Sequence, residues 1–490
     1  MLALGIVLTT ACIVGPNYVK PTTPNPPAFK EPPPASFGAA QGWKVGEPRD
    51  GMIRGKWWEM FGDPELDALE EQIEPQNQTL AMAEAQYRGA RAVIRVSRSA
   101  LYPTLSGGAS LTGNGTSGST SVSRGVLNYA ILEFPTVEAS WVPDVWGQVR
   151  RTIESNVATA QAGAANIENV RLTLQSELAL DYFLLHGLDA QKLLLDNTTV
   201  AYEKALELTV NRYNQGVASQ VDVAQAQTQL EQTRAQSTDT EVLRQQYEHA
   251  IAVLLGKPPS EFSMERSPIK VGPPEIPFGL PSELLERRPD VAGYERQVAA
   301  ANAQIGVAKA AYYPVFTLAA GGGLEASSLL SLFTWPSRFW SLGPSVSELI
   351  YDAGRRRGVT EEAQAAYDVA VANYRQSVLT AFQQVEDNIS SMRILEVEAK
   401  QQANAVGYAE RSLELANNQY TGGITTYLQV ITAQEIALQN EVTAVLLKTR
   451  QMTASVSLIQ ALGGGWDGML PTREDVMPKS TKTAGLAPPK

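Results

Sequence analysis

The chain has 490 residues, of which 44% are hydrophobic, and a formal net charge of -11. This length and hydrophobic content allow a sizeable buried core, whereas the acidic balance makes the chain a poor candidate for binding nucleic acid, because nucleic-acid phosphates would be repelled. With Cys12 as its single cysteine, the chain has no intrachain disulfide.

The N-terminal segment from Leu2 to Val14 is apolar over 13 residues. It is too short to span a bilayer and has the length of a signal-peptide core. Small residues before Cys12 predict a bacterial lipoprotein signal over residues 1–11 and lipidation of Cys12, although Thr9 stands where such signals usually carry Leu. The alternative is an inert thiol. Residues 12–56 begin with a proline-rich stretch and predict an extended, lipidated tether.

Each half of the chain predicts a helix followed by a pair of strands. The first helix runs from Asp63 to about Ala100, interrupted near Pro75, and its counterpart runs from Pro281 to Ala311. Both end at Tyr-Pro, where the residue before proline prefers extended geometry. Alternating apolar and polar residues then predict two strands, with return strands at 134–144 and 340–351.

The two hairpin loops between these strands differ in composition. The loop at 113–129 is rich in Gly and Ser, whereas the loop at 325–340 carries several large apolar residues. We interpret the second loop either as a buried plug or as an aromatic girdle at the membrane surface. Its large apolar residues include Leu329, Leu330, Phe333, Trp335 and Phe339.

Four strands cannot close a barrel, since about eight are needed merely to enclose side chains. Open strand edges are aggregation sites unless they pair with another copy. The alternation of apolar and polar residues is typical of membrane barrels, which place apolar residues against lipid. The sequence therefore predicts an oligomer, and it permits a dimer, a trimer or a tetramer.

An internal repeat covers most of the chain. A shift of 207 residues carries Tyr213 and Gly216 onto Tyr420 and Gly423, and each copy predicts a helix, a tight turn and a second helix of about 40 residues. From Arg150 to the first turn the helix would extend roughly 100 Å. We predict structural repeats at 57–256 and 282–463, a connector at 257–281 and a disordered tail at 464–490.

Several sequence blocks resemble one known family, the TolC-like outer membrane efflux proteins, in particular the lipoprotein branch of the OprM type. The blocks are Cys12-x-x-Gly15-Pro16-x-Tyr18, Trp57-Trp58-x-x-Phe61-x-Asp63-Pro64-x-Leu66, Arg287-Arg288-Pro289-Asp290-Val291 and the run from Ala300 to Ala308. The predicted fold class is mainly α with a small β part. Duplicated long helical hairpins form an α-helical tunnel, and four strands per chain contribute to a trimeric membrane β-barrel.

The resemblance implies a homotrimer anchored by lipid in the outer membrane, with its helical tunnel in the periplasm. It further implies a periplasmic adaptor (membrane fusion) protein and an inner-membrane transporter, typically of the resistance-nodulation-division type, which supplies the energy. Drugs or small toxic molecules would pass through the channel passively. Alternatives are an export duct for type I protein secretion or metal efflux, and a periplasmic coiled-coil scaffold without a pore.

Catalysis is the rival class of function, and its signals are poor. The two histidines, His186 and His249, lie inside helical runs, and neither has a metal-ligand partner at i+4 or a nearby cysteine. The glycine runs at 321–323 and 463–465 lack the Lys-Ser/Thr ending of a phosphate-binding loop. We therefore expect no enzymatic activity, no metal and no cofactor.

The resemblance places adaptor docking at the two hairpin tips. The first tip runs from Tyr213 through Gly216 to Ser219, and the second from Tyr420 through Gly423 to Thr426. The two glycines either only make the turn, where positive φ is needed, or also contribute to docking.

The resemblance also places a periplasmic gate just after the second tip. Leu428 matches a leucine constriction, whereas Gln429 and Thr432 are neutral where relatives carry acidic residues. Asp222 is the nearest carboxylate in the first tip, and it would either face the lumen or form a salt bridge with a neighbouring helix. We predict a gate that is mainly apolar and restricts passage by size and dewetting.

Overall fold

A long helical part and a small sheet make up the chain in the computed structural model, which describes residues 13–24, 26–32, 34, 55–115, 129–276 and 287–477. The helices are α1 (Pro64–Gln76), α2 (Gln78–Ser99), α3 (Gln148–Asn214), α4 (Gln220–Leu254), α5 (Pro289–Ala310), α6 (Leu329–Leu332), α7 (Arg355–Thr421), α8 (Tyr427–Ala461) and α9 (Arg473–Val476). The strands are β1 (Thr104–Asn114), β2 (Tyr129–Trp141), β3 (Val315–Ala326) and β4 (Arg338–Ser347).

The two halves repeat with almost the same element lengths. Helices α3 and α7 have 67 residues each and α4 and α8 have 35 each, and their bounds are related by the shift of 207 residues that the sequence shows. At 1.5 Å per residue, the 67-residue helices extend about 100 Å. The predicted pair of long helical hairpins is confirmed.

The predicted first helix is divided into two. Asn77 ends α1 and caps α2, because its side-chain oxygen accepts from the N–H groups of Thr79 at 2.8 Å and Leu80 at 3.0 Å. Pro75 lies inside α1, two residues before this break. In the second half α5 begins at Pro289, and residues 277–286 lie outside the described part of the chain.

In both halves an aspartate between the sheet and the long helix binds backbone N–H groups at the start of that helix. The Asp144 carboxylate accepts from the backbone N–H groups of Val149 at 2.9 Å and Arg150 at 3.0 Å, and Asp352 accepts from Gly354 at 3.1 Å and Arg356 at 3.1 Å. These bonds satisfy donors at the helix N-terminus, where a negative charge is also favoured. They fix the direction in which each long helix leaves the sheet.

The sheet is antiparallel in the order β1-β2-β3-β4, so that β1 and β4 are its edges. Side chains in directly opposite positions share a face. One cross-strand row is apolar and consists of Leu105, Ala139, Ala320 and Leu342. The next row, on the other face, consists of Ser106, Glu138, Gly321 and Ser341. The register thus separates an apolar face from a polar one.

The hairpin helices form a wall in the order α4, α3, α8, α7, because α3 packs against α4 and α8, and α8 packs against α7. The main core lies where this wall meets α1 and the 3-10 helix Trp57–Phe61, whose two tryptophans are buried in the same apolar cluster as Phe183 and Ile459. None of the helices in the described ranges has both the length and the apolar character needed to cross a bilayer.

The predicted tether runs as a strap bound along the helices, wherever residues 13–34 are described. Arg151, only 3% exposed, donates to the carbonyl oxygens of Val14 and Gly15, both at 3.2 Å. Gly15 has a φ of +100°, and a β-carbon there would lie 2.4 Å from the Cα of Gly306. Further along, the Glu386 carboxylate accepts from two strap N–H groups at 2.7 and 2.9 Å. These bonds hold the strap in one path.

The predicted disordered tail is wrong for residues 464–477. Trp466 is buried, and Val476 of α9 is fully buried beside Ile94 and Ile153. Thr472 begins α9 with a reciprocal capping box to Asp475. This segment has no apolar periodicity of its own. It is ordered by its contacts with α2 and α3. Residues 478–490 lie outside the described part.

Candidate functional site

The two hairpin tips have the same backbone geometry. The N–H of Gly216 donates to the carbonyl of Tyr213 at 2.8 Å, and the N–H of Gly423 donates to that of Tyr420 at 3.0 Å. The next residue in each tip closes a 6→1 hydrogen bond, as in a Schellman motif. Both glycines are left-handed, with φ of +74° and +77°, and no heavy atom lies within 4 Å of a built β-carbon. Backbone conformation rather than space therefore requires glycine.

The Asp222 side chain caps the N-terminus of α4 together with Ser219. Its Oδ2 accepts from the backbone N–H of Ser219 at 2.8 Å and from the Ser219 hydroxyl at 3.0 Å, while Ser219 Oγ accepts from the N–H of Asp222 at 3.2 Å. This is a capping box. Within the described ranges Asp222 forms no ion pair, so the salt-bridge alternative is wrong for the single chain. Thr426, which is equivalent to Ser219 in the second tip, makes no side-chain cap.

The two tip tyrosines have different environments. Tyr213 is 43% exposed, whereas Tyr420 is 6% exposed and lies in a small core with Tyr427, Val430 and Ala226. The ring centroids of Tyr420 and Tyr427 are 5.2 Å apart. Burial raises the pKa of Tyr427 to about 12. Tyr420 thus packs the tips together, whereas Tyr213 lies at the surface of the single chain.

Two exposed apolar residues at the tips were missed by the sequence reasoning. Val217 is 64% exposed and Ile424 is 80% exposed, and the shift of 207 residues relates them. Each directly follows the left-handed glycine, so the turn projects it outwards. The signal that could have found them is the conserved apolar character of this position in the two repeats.

Three of the predicted gate residues, Leu428, Gln429 and Thr432, lie on exposed positions of α8. Leu428 is 57% exposed, and Thr432, one turn later, donates its hydroxyl to the Leu428 carbonyl at 3.0 Å. Gln429 is also exposed, and its side-chain oxygen accepts from the hydroxyl of Thr425. Glu435 follows at i+7 from Leu428 and is exposed, so it is the nearest carboxylate on this stripe of α8. The sequence reasoning did not single it out.

The first repeat supplies a counterpart to Leu428. Val221 is related to it by the shift of 207 residues and is 63% exposed. Both residues stand in the first turn of the second helix of a hairpin. An apolar residue is therefore presented at the equivalent position of both hairpins. A ring of such residues would include Val221 as well as Leu428.

His186 lies in a buried, hydrogen-bonded region between α3, α4 and the connector. His186 is buried, and its Nδ1 lies 2.5 Å from the carbonyl oxygen of Ser267. The neighbouring Asp189 pairs with Arg244 at 2.7 Å, and Arg244 also donates to the Met264 carbonyl at 2.9 Å. These groups fasten the connector to α3 and α4. In the described ranges no group of three His, Cys, Asp or Glu side chains is placed to hold a metal ion.

Cys12, the predicted lipidation site, lies outside the described residues. The second strand loop lies within the described residues, and it does not form a buried plug within the single chain. Leu330 is 96% exposed and Trp335 is 76% exposed, whereas Leu332 is buried.

A wall of helical hairpins about 100 Å long, attached to one end of a two-faced sheet with unpaired edges, defines a subunit of an oligomeric membrane channel. The sheet supplies the membrane part, and the helices supply a tunnel outside it. The chain belongs to the outer membrane efflux protein family, whose sequence profile matches residues 69–257 and 280–464. This family is one of efflux channels rather than enzymes.

Individual relatives agree with this assignment. The pyoverdine export outer membrane protein OpmQ of Pseudomonas aeruginosa is 33% identical over 426 residues, which cover 84% of this chain and 87% of OpmQ. The outer membrane protein OprJ of the same organism is 30% identical over 474 residues, or 95% of each chain. The solved structure of the outer-membrane channel OprN has a TM-score of 0.83 at 28% identity and covers 93% of this chain and 100% of that one.

The predicted fold class and the predicted function as an outer-membrane efflux channel are confirmed. The location in the outer membrane, with a helical tunnel in the periplasm, is confirmed as well.

Proposed function

We propose that three copies of the chain close into one channel with a twelve-stranded barrel and a continuous helical tunnel. The sheet edges β1 and β4 are unpaired, and α4 and α7 are the open flanks of the helical wall. Both flanks expose large apolar side chains that a neighbouring copy would bury. On α4 they include Val242, Leu243 and Val253, and on α7 they include Leu379, Ile394, Val397 and Tyr408.

The single observation that carries this function is the register of the sheet. It places Leu105, Ala139 and Leu342 on one face and Ser106, Glu138 and Ser341 on the other. Closure removes the edges, turns the apolar face to lipid and lines the lumen with polar groups. Small organic molecules would cross this lumen passively, as the pyoverdine in the name of OpmQ illustrates for that relative.

The energy for export comes from partners in this proposal. A periplasmic adaptor docks on the hairpin tips, and an inner-membrane transporter of the resistance-nodulation-division type drives the substrate into the tunnel. Tyr213, Val217 and Ile424 are exposed there and offer an apolar surface. Gly216, Gly423, Ser219 and Thr426 shape the two turns that present it.

The gate in this proposal is a mainly apolar ring at the closed end of the tunnel. Leu428 supplies the narrowest point, Val221 stands at the same height in the first hairpin, and Thr432 and Gln429 complete a neutral lining. A ring of this kind restricts passage by size and dewetting rather than by charge. Asp222 remains at the edge of this region, half-buried and engaged in its capping box.

Lipidation of Cys12 fits the path of the strap. The N–H of Val14 donates to the carbonyl of Trp146 at 3.1 Å, and Trp146 donates its indole N–H to the carbonyl of Pro314 at 2.8 Å. Both Trp146 and Pro314 lie where the sheet meets the helices. Since Cys12 is two residues before Val14, a lipid on it would reach the membrane on the helical side of the barrel.

Planar-bilayer recording tests the channel. Purified protein added to one chamber should give discrete, long-lived conductance steps, and crosslinking should give a trimer. The variant Leu342→Asp places a charge on the lipid-facing row and should reduce insertion, whereas Ser341→Asp, its neighbour on the polar face, should insert as the wild type does. A protein that stays in solution without detergent and gives no conductance steps would support the pore-free scaffold instead.

A further inference from the structure

The apolar face of β4 ends in a positive charge at the outer end of the sheet. Arg338 lies opposite Leu324 in the register, and residues at alternate positions after it share its face. Of these, Trp340 is 82% exposed and Leu342 is 75% exposed. The long helices join the sheet at the Ser347 end of β4, so Arg338 stands at the end farthest from the tunnel. It therefore lies at the outer end of the face that the barrel turns to lipid.

The guanidinium of Arg338 is stacked but otherwise unengaged. Its Cζ lies 3.6 Å from the centroid of the Trp335 ring. Among the described residues it forms no hydrogen bond and no ion pair, and no other Lys or Arg occurs in the four strands as they are described. Stacking on an indole leaves the edge of the guanidinium, with its N–H donors, directed away from the ring.

The segment that carries Trp335 is held in shape by its own hydrogen bonds. The carbonyl of Ser331 accepts from the hydroxyls of Thr334 at 2.6 Å and Ser337 at 2.7 Å, and from the N–H of Thr334 at 3.1 Å. Trp335 is nevertheless 76% exposed, as is Phe333 at 71%. A polar framework that holds aromatic side chains outwards is suited to an interface where one side is apolar and the other is wet.

The chemistry of this corner matches a phosphate at the surface of a lipid layer. A guanidinium presents a rigid fork of donors that binds phosphate through two parallel bonds, and it is less strongly hydrated than an ammonium group. Tryptophan side chains prefer the headgroup level of a bilayer. A lipid whose acyl chains lie along Trp340 and Leu342 would bring its headgroup to the height of Arg338.

We propose that Arg338, stacked on Trp335, binds the phosphate of an outer-leaflet lipid, with one such site in each copy of the chain. The occupant is a membrane lipid rather than a free anion, because the site continues the lipid-facing column of β4. The proposal rests on the membrane orientation given under the proposed function. It adds a specific lipid contact at the outer rim of the barrel, which that function does not require.

Native mass spectrometry of the detergent-purified channel tests the proposal. The probes are diphosphoryl lipid A and the same lipid after removal of both phosphates, added at equal concentrations. We expect the wild type to retain the phosphorylated lipid at least several-fold better. Arg338→Ala should lose this preference, Arg338→Lys should keep part of it, and Trp335→Ala should weaken it. Arg411→Ala, an exposed arginine on α7, is the matched control and should leave it unchanged.

Conductance measured on the same preparations separates this proposal from the channel function. Arg338→Ala should insert and conduct as the wild type does while it loses lipid preference. If Arg338→Ala retains the phosphorylated lipid as the wild type does, or if both lipids bind the wild type equally, the lipid site is refuted although the channel stands. A rise in conductance in Arg338→Ala with unchanged lipid retention would instead show that the loop plugs the lumen.

Discussion

The Arg212 guanidinium lies over the ring of Tyr420, with 4.6 Å between its Cζ and the ring centroid. Arg212 also donates to the carbonyl of Thr421 at 3.2 Å. Because Arg212 lies in the last turn of α3 and Tyr420 in the last turn of α7, this contact fastens the tip of the first hairpin to the tip of the second. The two tips therefore form one surface, and we expect a substitution in either tip to alter the structure of both.

The first prediction concerns this fastening. Tyr420→Ala removes a ring that is 6% exposed and should loosen both tips, because a cavity opens beside Tyr427. Tyr420→Phe should be close to neutral, since the Tyr420 hydroxyl has no hydrogen-bond partner among the described residues. Hydrogen exchange of residues 206–222 and 416–431 measures the effect. Equal protection in the Ala and Phe variants would show that the ring does not hold the tips together.

The second prediction concerns the turn glycines. Gly423→Ala forces a side chain into the left-handed region and should cost about 1 kcal/mol locally, because φ there is +77°. Gly422→Ala is the matched control: its φ is -73°, and its new β-carbon would meet the Asn418 carbonyl oxygen at 3.4 Å, an ordinary contact. Gly216→Val should behave as Gly423→Ala does. The expected readout is faster amide exchange in the substituted turn but not in the Gly422 variant.

The third prediction concerns the adaptor. Gln215 and Gln220 flank the first turn and are exposed, so Gln215→Lys with Gln220→Lys adds charge to the tip without removing a contact. Binding of the native adaptor, measured by surface plasmon resonance, should weaken while the trimer stays intact. The same pair of changes at exposed positions far from the tips, such as Gln376→Lys with Gln383→Lys on α7, is the control. Unchanged binding in the tip variant would count against this interface.

The fourth prediction concerns the gate. Leu428→Gly should raise single-channel conductance, and adding Val221→Gly to it should raise conductance further. Thr432→Asp should increase the preference for cations. Leu446→Gly, at an exposed position farther along α8, should leave conductance unchanged. Asp222→Asn keeps an oxygen for the cap and removes the charge. If Leu428→Gly has no effect while Asp222→Asn abolishes cation preference, the constriction is acidic and lies in the first repeat.

The fifth prediction concerns a buried carboxyl. Glu70 is 1% exposed, and neither of its oxygens has a hydrogen-bond partner among the described residues. Burial, with a smaller effect from the Asp67 charge, raises the pKa of Glu70 well above its usual value. The folded state therefore holds its proton at pH values where the unfolded state has lost it. Stability from this group is complete below the ordinary glutamate pKa and falls as pH rises towards the raised value.

Glu70→Gln should remove the loss of folding stability that Glu70 causes as pH rises. Thermal unfolding followed by circular dichroism should give the variant a higher midpoint than the wild type at pH 7.5 and the same midpoint at pH 4. Glu84→Gln, at an exposed position on α2, should not change the pH dependence. Parallel curves for the wild type and Glu70→Gln across this range would show that Glu70 does not titrate differently in the folded state.

Lipidation has its own direct test. Cys12→Ser should abolish metabolic labelling by a fatty-acid analogue, while the barrel still inserts because the sheet does not depend on the lipid. Labelling that persists in Cys12→Ser would sink the lipoprotein assignment. The strap variant Arg151→Ala serves as a control, since it removes bonds to Val14 and Gly15 but leaves the lipidation residue in place.

The repeat, the hairpin lengths, the turn glycines and the two-faced strands were all determined by the sequence. Each of these depends on neighbouring residues: a left-handed turn needs glycine, a helix needs its periodicity and caps, and a strand needs alternation. The shift of 207 residues then fixes the equivalence of Tyr213 with Tyr420 and of Val221 with Leu428.

Only the tertiary structure decided what those residues face. Equivalent positions diverge: Tyr420 is buried because Arg212 and Tyr427 from other helices close over it, whereas Tyr213 is 43% exposed. The strap and the segment 464–477 are ordered by partners more than a hundred residues away, such as Arg151 for Gly15 and Ile94 for Val476. Burial is set by contacts between distant parts of the chain, and local patterns carry no record of them.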